Sequence, residues 1–175
     1  MKTMIIVNNG HEECEALIVY DLLYRAGIDV KLVGFTDTVT SSHNVTYKSD
    51  LLIDDVDANE YECLILPGGM PGTKHLKEDK RVSDLIDKFV KDNKWVCAIC
   101  AAPSILLEKG LLKNGKFTCF PGFEGDYTPC PDKAVQDGKF ITGKGMGAAF
   151  EFSALIIENL LGKEKAKEVL SKVQY

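Results

Sequence analysis

The chain has 175 residues and a mass of 19.3 kDa, and its 45% apolar and 27% charged residues are the ordinary balance of a globular protein. This composition excludes a disordered tail, a collagen-like fibre and a small disulfide-stapled scaffold. The formal charge of −5, without a basic cluster, argues against nucleic acid as a partner. No apolar run approaches the roughly 18 residues that span a bilayer, and the first nine residues are too short and polar-ended for a signal peptide. We therefore expect a cytoplasmic protein without a membrane partner, whose six cysteines are thiols.

The apolar pattern alternates between strand-like runs and helix-like periods. In chain order it predicts a strand over 4–7, a helix over 12–26, strands over 28–33, 51–53 and 63–66, a helix over 79–91, a strand over 95–99, a helix over 101–109, a strand over 140–142, and helices over 147–161 and 163–172. The 51–53 strand would come from a small hairpin or excursion, and 126–138 is the least regular stretch. Continuous apolar runs such as 63–66 indicate a parallel sheet covered by helices on both faces. The fold class is therefore α/β, a doubly wound sandwich with a mostly parallel central sheet, in one domain over 1–175.

Three segments follow the carboxyl ends of predicted strands, where ligands bind in an open α/β sheet. They are Asn9 to Glu15, Pro67 to Gly72, and Ala98 to Pro103. No G-x-G-x-x-G follows the first strand, so the first segment does not predict a dinucleotide site. We expect the three segments to line one crevice.

Cys100 stands in the third segment, at a strand-to-helix turn. That is the layout of a nucleophile elbow, although the flanking glycines of G-x-S-x-G are missing. At a helix start, the macrodipole and free N–H groups favour thiolate, so we expect the Cys100 pKa to lie below the ordinary value of about 8.5. The N–H group of Ala101 and the Gly68-Gly69 backbone are candidates for an oxyanion hole. The alternative is a buried small hydrophobe, the interpretation we adopt for the other five cysteines.

Cys97 and Cys100 form a C-x-x-C pattern, typical of redox dithiols and of zinc sites. Here Cys97 lies inside the strand, so at about 3.3 Å per residue the two Cα atoms are roughly 10 Å apart, too far for a disulfide. A zinc site needs a second ligand pair, and no other C-x-x-C or H-x₃-H occurs. We therefore expect no Cys97–Cys100 bridge and no metal.

Acidic residues and a histidine surround the start of the first helix. Glu12 and Glu13 are explained by complementation of the helix dipole, whereas Glu15 could point inward beside Cys100. A carboxylate beside a thiolate is a like-charge clash, so one group must keep its proton, and a protonated Glu15 would donate a hydrogen bond to sulfur. His11 is the best candidate for a general base among the three histidines, against the commoner alternative of a satisfied surface or core residue.

These segments resemble those of the DJ/ThiJ/PfpI superfamily, in its parkinsonism-associated deglycase branch, with a class I glutamine amidotransferase-like fold. The resemblance runs in order over nearly the whole chain, and the combination is specific although each piece alone is weak. The residues that carry it are Gly10 to Glu15, Arg25-Ala26-Gly27, Leu66 to Gly69, Ala98 to Pro103, and Gly145-Met146-Gly147 followed by Phe150-Glu151-Phe152.

The resemblance implies a three-layer, flavodoxin-like sandwich and a homodimer, with no cofactor. It makes Cys100 the nucleophile and oxidation-sensitive thiol, with Glu15 as its protonated partner. Gly69 and Ala101 become oxyanion donors, and Arg25 reaches towards the other subunit's site.

One position departs from the family pattern. Several members carry a histidine before a proline after the strand that follows the nucleophile helix, and Phe120 stands in its place here. This removes a base that Cys–His hydrolysis needs, although Glu15 could still move a proton in the isomerisation of a hemithioacetal. Lys144 takes the place of a basic residue in the glycine-rich loop, either as an anion contact or as a solvated lysine.

Three functions remain open on these grounds. The first is a cysteine-dependent enzyme for reactive 2-oxoaldehydes or glycated adducts, of the glutathione-independent glyoxalase or deglycase type, with a small aldehyde or glycated substrate. The second is an oxidative-stress sensor or chaperone that uses oxidation of Cys100. The third is a cysteine peptidase or amidotransferase-like hydrolase, for which His11 alone could supply the base.

Overall fold

The computed structural model describes residues 1–175, which form nine strands and six helices. The strands are β1 (Lys2–Val7), β2 (Asp29–Gly34), β3 (Thr38–Thr40), β4 (Thr46–Lys48), β5 (Leu51–Leu52), β6 (Cys63–Leu66), β7 (Trp95–Ile99), β8 (Ala134–Asp137) and β9 (Phe140–Gly143). The helices are α1 (Glu13–Arg25), α2 (Gly72–Glu78), α3 (Lys80–Lys91), α4 (Pro103–Glu108), α5 (Ala149–Leu161) and α6 (Lys163–Lys172).

Seven strands form one sheet in the order β5-β2-β1-β6-β7-β9-β8, and β3 and β4 form a separate hairpin. All neighbours in the large sheet are parallel except β8 and β9. The register places Ile5 of β1 between Leu32 of β2 and Ile65 of β6, so buried β-branched and aliphatic residues stack across the sheet. This confirms the predicted α/β class with a mostly parallel central sheet.

Helices cover both faces of the sheet and enclose two cores. Strand residues alternate between them, so Ile5 and Val7 face α1, α5 and α6, whereas Met4 and Ile6 face α2, α3 and α4. The strand runs are apolar throughout because each face is buried against a helical layer. None of the helices combines the length and the apolar character that crossing a membrane requires.

The structure differs from the sequence prediction at short elements. Helix α2 and strands β3, β4 and β8 were not predicted, because a seven-residue helix and strands of three or four residues are too brief to show a clear period. Helix α4 begins at Pro103 rather than at residue 101, since Ala101 and Ala102 form a turn after Cys100. Proline is well suited to the first helical position, where its missing N–H is not needed.

The order in which the chain adds strands to the sheet reverses at β1, which has β2 on one side and β6 on the other. The loops that follow β1 and β6 therefore lie side by side at the carboxyl edge, where α/β folds bind ligands. They are joined by backbone hydrogen bonds from Glu12 N to Gly68 O (2.9 Å) and from Gly72 N to Gly10 O (3.0 Å). β7, next to β6, brings Cys100 to the same edge.

Candidate active site

Cys100 occupies a strained turn between β7 and α4. Its φ of 66° lies in the left-handed region, which costs a residue other than glycine about 1–2 kcal/mol. Both of its backbone groups are bound: Cys100 N donates to Gly143 O at 2.9 Å, and Cys100 O accepts from Phe120 N at 2.8 Å. This pairing with two other segments holds the strained conformation and leaves the side chain half-buried in the crevice.

The Gly68-Gly69 bend lies directly against this turn. A Cβ on Gly68 would sit 2.7 Å from Cys100 Cβ and 2.8 Å from Glu15 Oε2, so only glycine permits this approach. Gly69 has a φ of 86° and its N–H, like that of Ala101, is directed at the Cys100 thiol. The expected donors Gly69 and Ala101 are therefore in place. Gly68 is not, because its N–H donates to Glu15 Oε2 at 2.8 Å.

Glu15 points inward from the first turn of α1 and is fully buried. Its carboxyl and the Cys100 side chain both lie against Gly68, and each group shifts the pKa of the other. One carboxyl oxygen, Oε2, accepts from Gly68 N, whereas Oε1 meets no protein donor. An oxygen with no donor nearby is the one best placed to carry a proton, so the site fits a protonated Glu15 carboxyl beside Cys100.

Burial governs the protonation of both groups. It raises the pKa of Glu15 to about 7, against hydrogen bonds from Cys100 and Gly68 that favour the carboxylate. Burial also raises the pKa of the Cys100 thiol to about 12; the nearby Glu15 carboxylate adds to this rise, while the Ala101 and Gly69 N–H groups oppose it. The low pKa expected for Cys100 is therefore wrong for this site. Thiolate is less disfavoured while Glu15 keeps its proton, because that removes the repulsion between the two charges and leaves burial as the main cause of the raised pKa.

His11 lies in the crevice loop but is fully buried and has both ring nitrogens occupied. Nδ1 is 2.6 Å from Asn8 O, a carbonyl that can only accept, so Nδ1 carries the proton. Nε2 then accepts from the Tyr47 hydroxyl. Desolvation lowers the pKa of His11. No lone pair is left for proton abstraction, so the structure does not place His11 as a base for Cys100.

Sequence reasoning missed the partners of His11. Tyr47 lies 36 residues away on β4, and no local motif links the two. Asn8 is also buried, and its Nδ2 donates to Gly72 O at 2.9 Å. These bonds tie the hairpin, the first crevice loop and the loop after β6 into one unit that supports Gly68 and Gly69.

The remaining predicted site residues lie around the rim. Phe120 contributes its backbone N–H to Cys100 O, while its half-exposed ring stacks edge-on against Phe123. Lys144 is exposed, and its backbone N donates to Lys133 O. Arg25 lies at the far end of α1, paired with Asp21 at 2.6 Å, and has no contact with Cys100 within the same subunit.

All six cysteines are unpaired. Cys97 does not approach Cys100; its Sγ lies 3.6 Å from Cys63 Sγ on β6, with both side chains buried. The two residues are offset by two positions in the register, since Cys97 stands opposite Ile65. Burial raises the pKa of Cys97 well above its ordinary value, so this thiol stays protonated inside the core.

One group of side chains has the donor atoms that a metal ion would need. The ligand atoms of Glu12, Glu13 and His43 lie within 4.8 Å of one another. His43 Nδ1 is already 3.1 Å from Glu13 and 3.4 Å from Glu12, and the hydrogen bond to Glu13 raises the pKa of His43. The three side chains are thus satisfied as an ion pair of a protonated imidazole with two carboxylates.

Comparison with known proteins decides the family. The model of the DJ-1/PfpI family matches residues 1–159. This chain belongs to the DJ-1/PfpI family. It is 35% identical over 173 residues to protein dj-1beta of Drosophila melanogaster, covering 95% of this chain and 92% of that protein. It is 34% identical over 165 residues to the glutathione-independent glyoxalase DJR-1.2 of Caenorhabditis elegans, covering 91% and 88% respectively.

Among solved structures, oxidized Toxoplasma gondii DJ-1 superposes with a TM-score of 0.94 at 32% identity, covering 99% of this chain and 98% of that one. The resemblance seen in the sequence is therefore confirmed at the level of family and fold. Within this DJ-1/PfpI framework, the arrangement of Cys100, Glu15 and two aimed N–H groups can support nucleophilic addition and local proton transfer. It offers no histidine as a base.

Proposed function

We propose that this protein is a cysteine-dependent enzyme that converts reactive 2-oxoaldehydes, free or as glycated adducts, into hydroxy acids. The contact between Cys100 and a fully buried Glu15 whose pKa is about 7 carries the proposal. A carboxyl that titrates near neutral pH can both give and take a proton during one turnover. The name of the C. elegans relative, a glutathione-independent glyoxalase, is consistent with this chemistry.

The reaction needs no external oxidant or reductant. The Cys100 sulfur adds to the aldehyde carbon of methylglyoxal, and the new alkoxide takes up a proton to give a hemithioacetal. Glu15 then moves the proton from that carbon to the neighbouring carbonyl carbon, and the hydroxyl proton of the hemithioacetal passes to the former ketone oxygen. The former aldehyde carbon becomes a thioester and the ketone becomes an alcohol. Water attacks the thioester, which releases lactate and regenerates the thiol.

The two N–H groups directed at Cys100 support the charged stages. The backbone N–H groups of Gly69 and Ala101 lie near the sulfur and lower the pKa of the Cys100 thiol, which favours thiolate. When sulfur attacks, negative charge moves to the former carbonyl oxygen, and the same groups are the nearest donors for it. Gly68 has a different role, since its N–H holds Glu15 in place.

The test is lactate formation from methylglyoxal by purified protein. We expect Cys100→Ser to abolish lactate formation, because a serine hydroxyl is a far weaker nucleophile than a cysteine sulfur near neutral pH. The matched control is Cys130→Ser, which removes another partly exposed thiol and should leave the rate unchanged. Equal lactate yields from wild type and Cys100→Ser would refute the proposal.

A second candidate is a redox sensor or chaperone that acts through oxidation of Cys100. The favouring observation is the same Glu15 carboxyl, since a protonated acid and two N–H donors would hold a sulfinate as well as an oxyanion. Intact mass after mild peroxide should then show two added oxygens on Cys100 alone. Oxidation scattered over several cysteines would count against this role.

We also propose that the protein acts as a homodimer through α1, without a nucleic-acid partner. Tyr24 on α1 is 66% exposed and stacks on Tyr20, leaving an apolar surface beside the Arg25–Asp21 pair. In a dimer formed through this face, Arg25 would lie near the partner. The mildly acidic charge of −5 supports the absence of nucleic acid.

A further inference from the structure

The peptide group between Cys100 and Ala101 is held at one end and free at the other. Its carbonyl, on Cys100, accepts a hydrogen bond from Phe120 N at 2.8 Å. Its N–H group, on Ala101, donates to no carbonyl of the protein and lies near the Cys100 sulfur, where it lowers the thiol pKa. In a planar trans peptide the N–H points opposite to the C=O. The hydrogen bond from Phe120 to the carbonyl therefore sets the direction of the Ala101 N–H group.

The segment 117–120, which ends at the residue that donates this bond, belongs to no helix or strand. Two hydrogen bonds anchor it to the rest of the fold. Cys130 N donates to Phe117 O at 2.7 Å, and Thr118 N donates to the side-chain Oγ1 of Thr142 at 2.9 Å. Thr118 is fully buried, and its N–H has no other acceptor. A side-chain oxygen thus takes the place that a neighbouring strand would fill in a sheet.

Thr142 lies in β9, beside the strand that leads to the nucleophile. It is 1% exposed and pairs with Ala98 of β7 in the sheet. The next residue, Gly143, accepts through its carbonyl from Cys100 N at 2.9 Å. Strand β9 therefore holds both backbone groups of the Cys100 turn, the N–H directly and the carbonyl through the segment 117–120.

We propose that Thr142 is a positioning residue for the oxyanion donor Ala101. The Thr142 hydroxyl oxygen holds the Thr118 N–H, and so keeps the Phe120 N–H on the Cys100 carbonyl. That bond fixes the peptide whose other end is the Ala101 N–H. Beyond Thr142 only backbone groups take part, so the role does not depend on which side chain stands at position 120. This inference rests on the proposed function, since an aimed N–H group serves the oxyanion of the addition step.

The experiment measures how fast iodoacetamide alkylates Cys100 as a function of pH, by peptide mass spectrometry, and so needs no turnover. Thr142→Val keeps the shape of the side chain and removes the acceptor oxygen. We expect it to slow alkylation of Cys100 near neutral pH by about three- to tenfold and to move the pH profile upward, because thiolate loses an aligned N–H donor. Thr142→Ser keeps an acceptor oxygen and should retain the wild-type profile.

Thr3→Val is the matched control. Thr3 is fully buried in β1 and its hydroxyl has no partner in the protein, so this variant should leave the Cys100 profile unchanged. The buried thiols of Cys63 and Cys97 report on the fold in the same samples, since iodoacetamide reaches them only when the core opens. A purely structural role for Thr142 would expose these two thiols and would not slow the alkylation of Cys100.

Hydrogen exchange in the wild type provides a second measurement that does not depend on any variant. The amides of Thr118 and Phe120 should exchange slowly, although their segment lies outside helices and strands. The proposal is overturned if these amides exchange rapidly, if folded Thr142→Val keeps the wild-type profile, or if Thr142→Ser shifts it equally. A wild type that makes no lactate would refute the proposed enzyme and leave these results standing.

Discussion

At the scale of the residue, Glu15 decides what Cys100 can do. The thiol is half-buried, and burial alone disfavours thiolate. A carboxylate against it would disfavour thiolate further, whereas a protonated carboxyl donates to sulfur. In the proposed reaction, the reactive form is the less populated state in which sulfur is a thiolate and Glu15 is protonated.

The raised pKa of Glu15 has a consequence for stability. In the unfolded chain its carboxyl titrates near the ordinary value of 4.5, and in the folded protein near 7. The folded state holds the proton more tightly, so this contribution is complete below about pH 4.5 and is lost as pH rises through about 7. The loss amounts to about 3 kcal/mol as an order of magnitude. His11, whose pKa is lowered, acts in the opposite direction.

Glu15→Gln tests this linkage, because glutamine imitates the protonated carboxyl at every pH. We expect the variant to lose less free energy of unfolding than wild type between about pH 5 and about pH 8, measured by urea denaturation. Glu158→Gln, at an exposed carboxyl of α5 that forms no ion pair, is the control. The same pH dependence in wild type and Glu15→Gln would contradict a raised pKa at Glu15.

At the scale of the element, the β3–β4 hairpin supports the crevice from outside the main sheet. Its link to the crevice is the hydrogen bond between Tyr47 and His11, and from His11 the network continues to Asn8 and Gly72. The loop after β6 also carries Gly68 and Gly69. The hairpin therefore helps to hold the loop that carries Gly68 and Gly69 in place, through a chain of polar contacts.

Tyr47→Phe should destabilise the protein by about 1–3 kcal/mol. The substitution leaves Nε2 of the fully buried His11 without a donor, which costs the desolvation of that nitrogen. Urea denaturation measures the effect. Tyr24→Phe, which removes a hydroxyl from a 66% exposed side chain, should be close to neutral. Equal stability of the two variants would show that the Tyr47 hydrogen bond does not support the fold.

At the scale of the whole molecule, the two helical layers present different surfaces. The layer of α1, α5 and α6 carries exposed Tyr24 and Arg25, whereas the layer of α2, α3 and α4 borders a cavity of about 550 Å³. The crevice with Cys100 opens at the edge between the two layers.

We expect light scattering to give a mass of about 38.6 kDa, which is 2 × 19.3 kDa. Tyr24→Glu should shift the protein towards the monomer, because it places a charge in the apolar surface of α1. Lys91→Glu introduces the same side chain at an exposed position of α3 and should leave the mass unchanged. A monomeric mass for the wild type, or a dimeric mass that Tyr24→Glu does not change, would count against this interface.

Much of the fold follows from local pattern. The apolar runs of β6 and β7 were predicted at their observed bounds, because a strand buried on both faces must be apolar at every position. Helices α3 and α6 were also close to prediction, since their apolar period is long enough to read. The pattern did not predict helix α2 and strand β8, because tertiary contacts decide whether such short elements form.

The site could be predicted only in part. Its location followed from the sheet, since Cys100, Glu15 and the Gly68-Gly69 bend all follow the carboxyl ends of strands. The role of each N–H group could not be predicted. The sequence does not show that Gly68 donates to Glu15 while the N–H groups of Gly69 and Ala101 face the sulfur. Tyr47 could not be predicted as the partner of His11, because the two residues are far apart in the chain.

The sequence by itself determined the α/β class, the layering and the edge of the sheet at which the chemistry lies, because hydrophobic periodicity is a local property of the chain. Only the tertiary structure decided the protonation of the site. Burial depends on what the rest of the molecule packs around a group, and it raises the pKa of Cys100 where the turn alone suggested a decrease. The same packing buries Glu15 and raises its pKa to about 7, so that its carboxyl can give and take a proton near neutral pH.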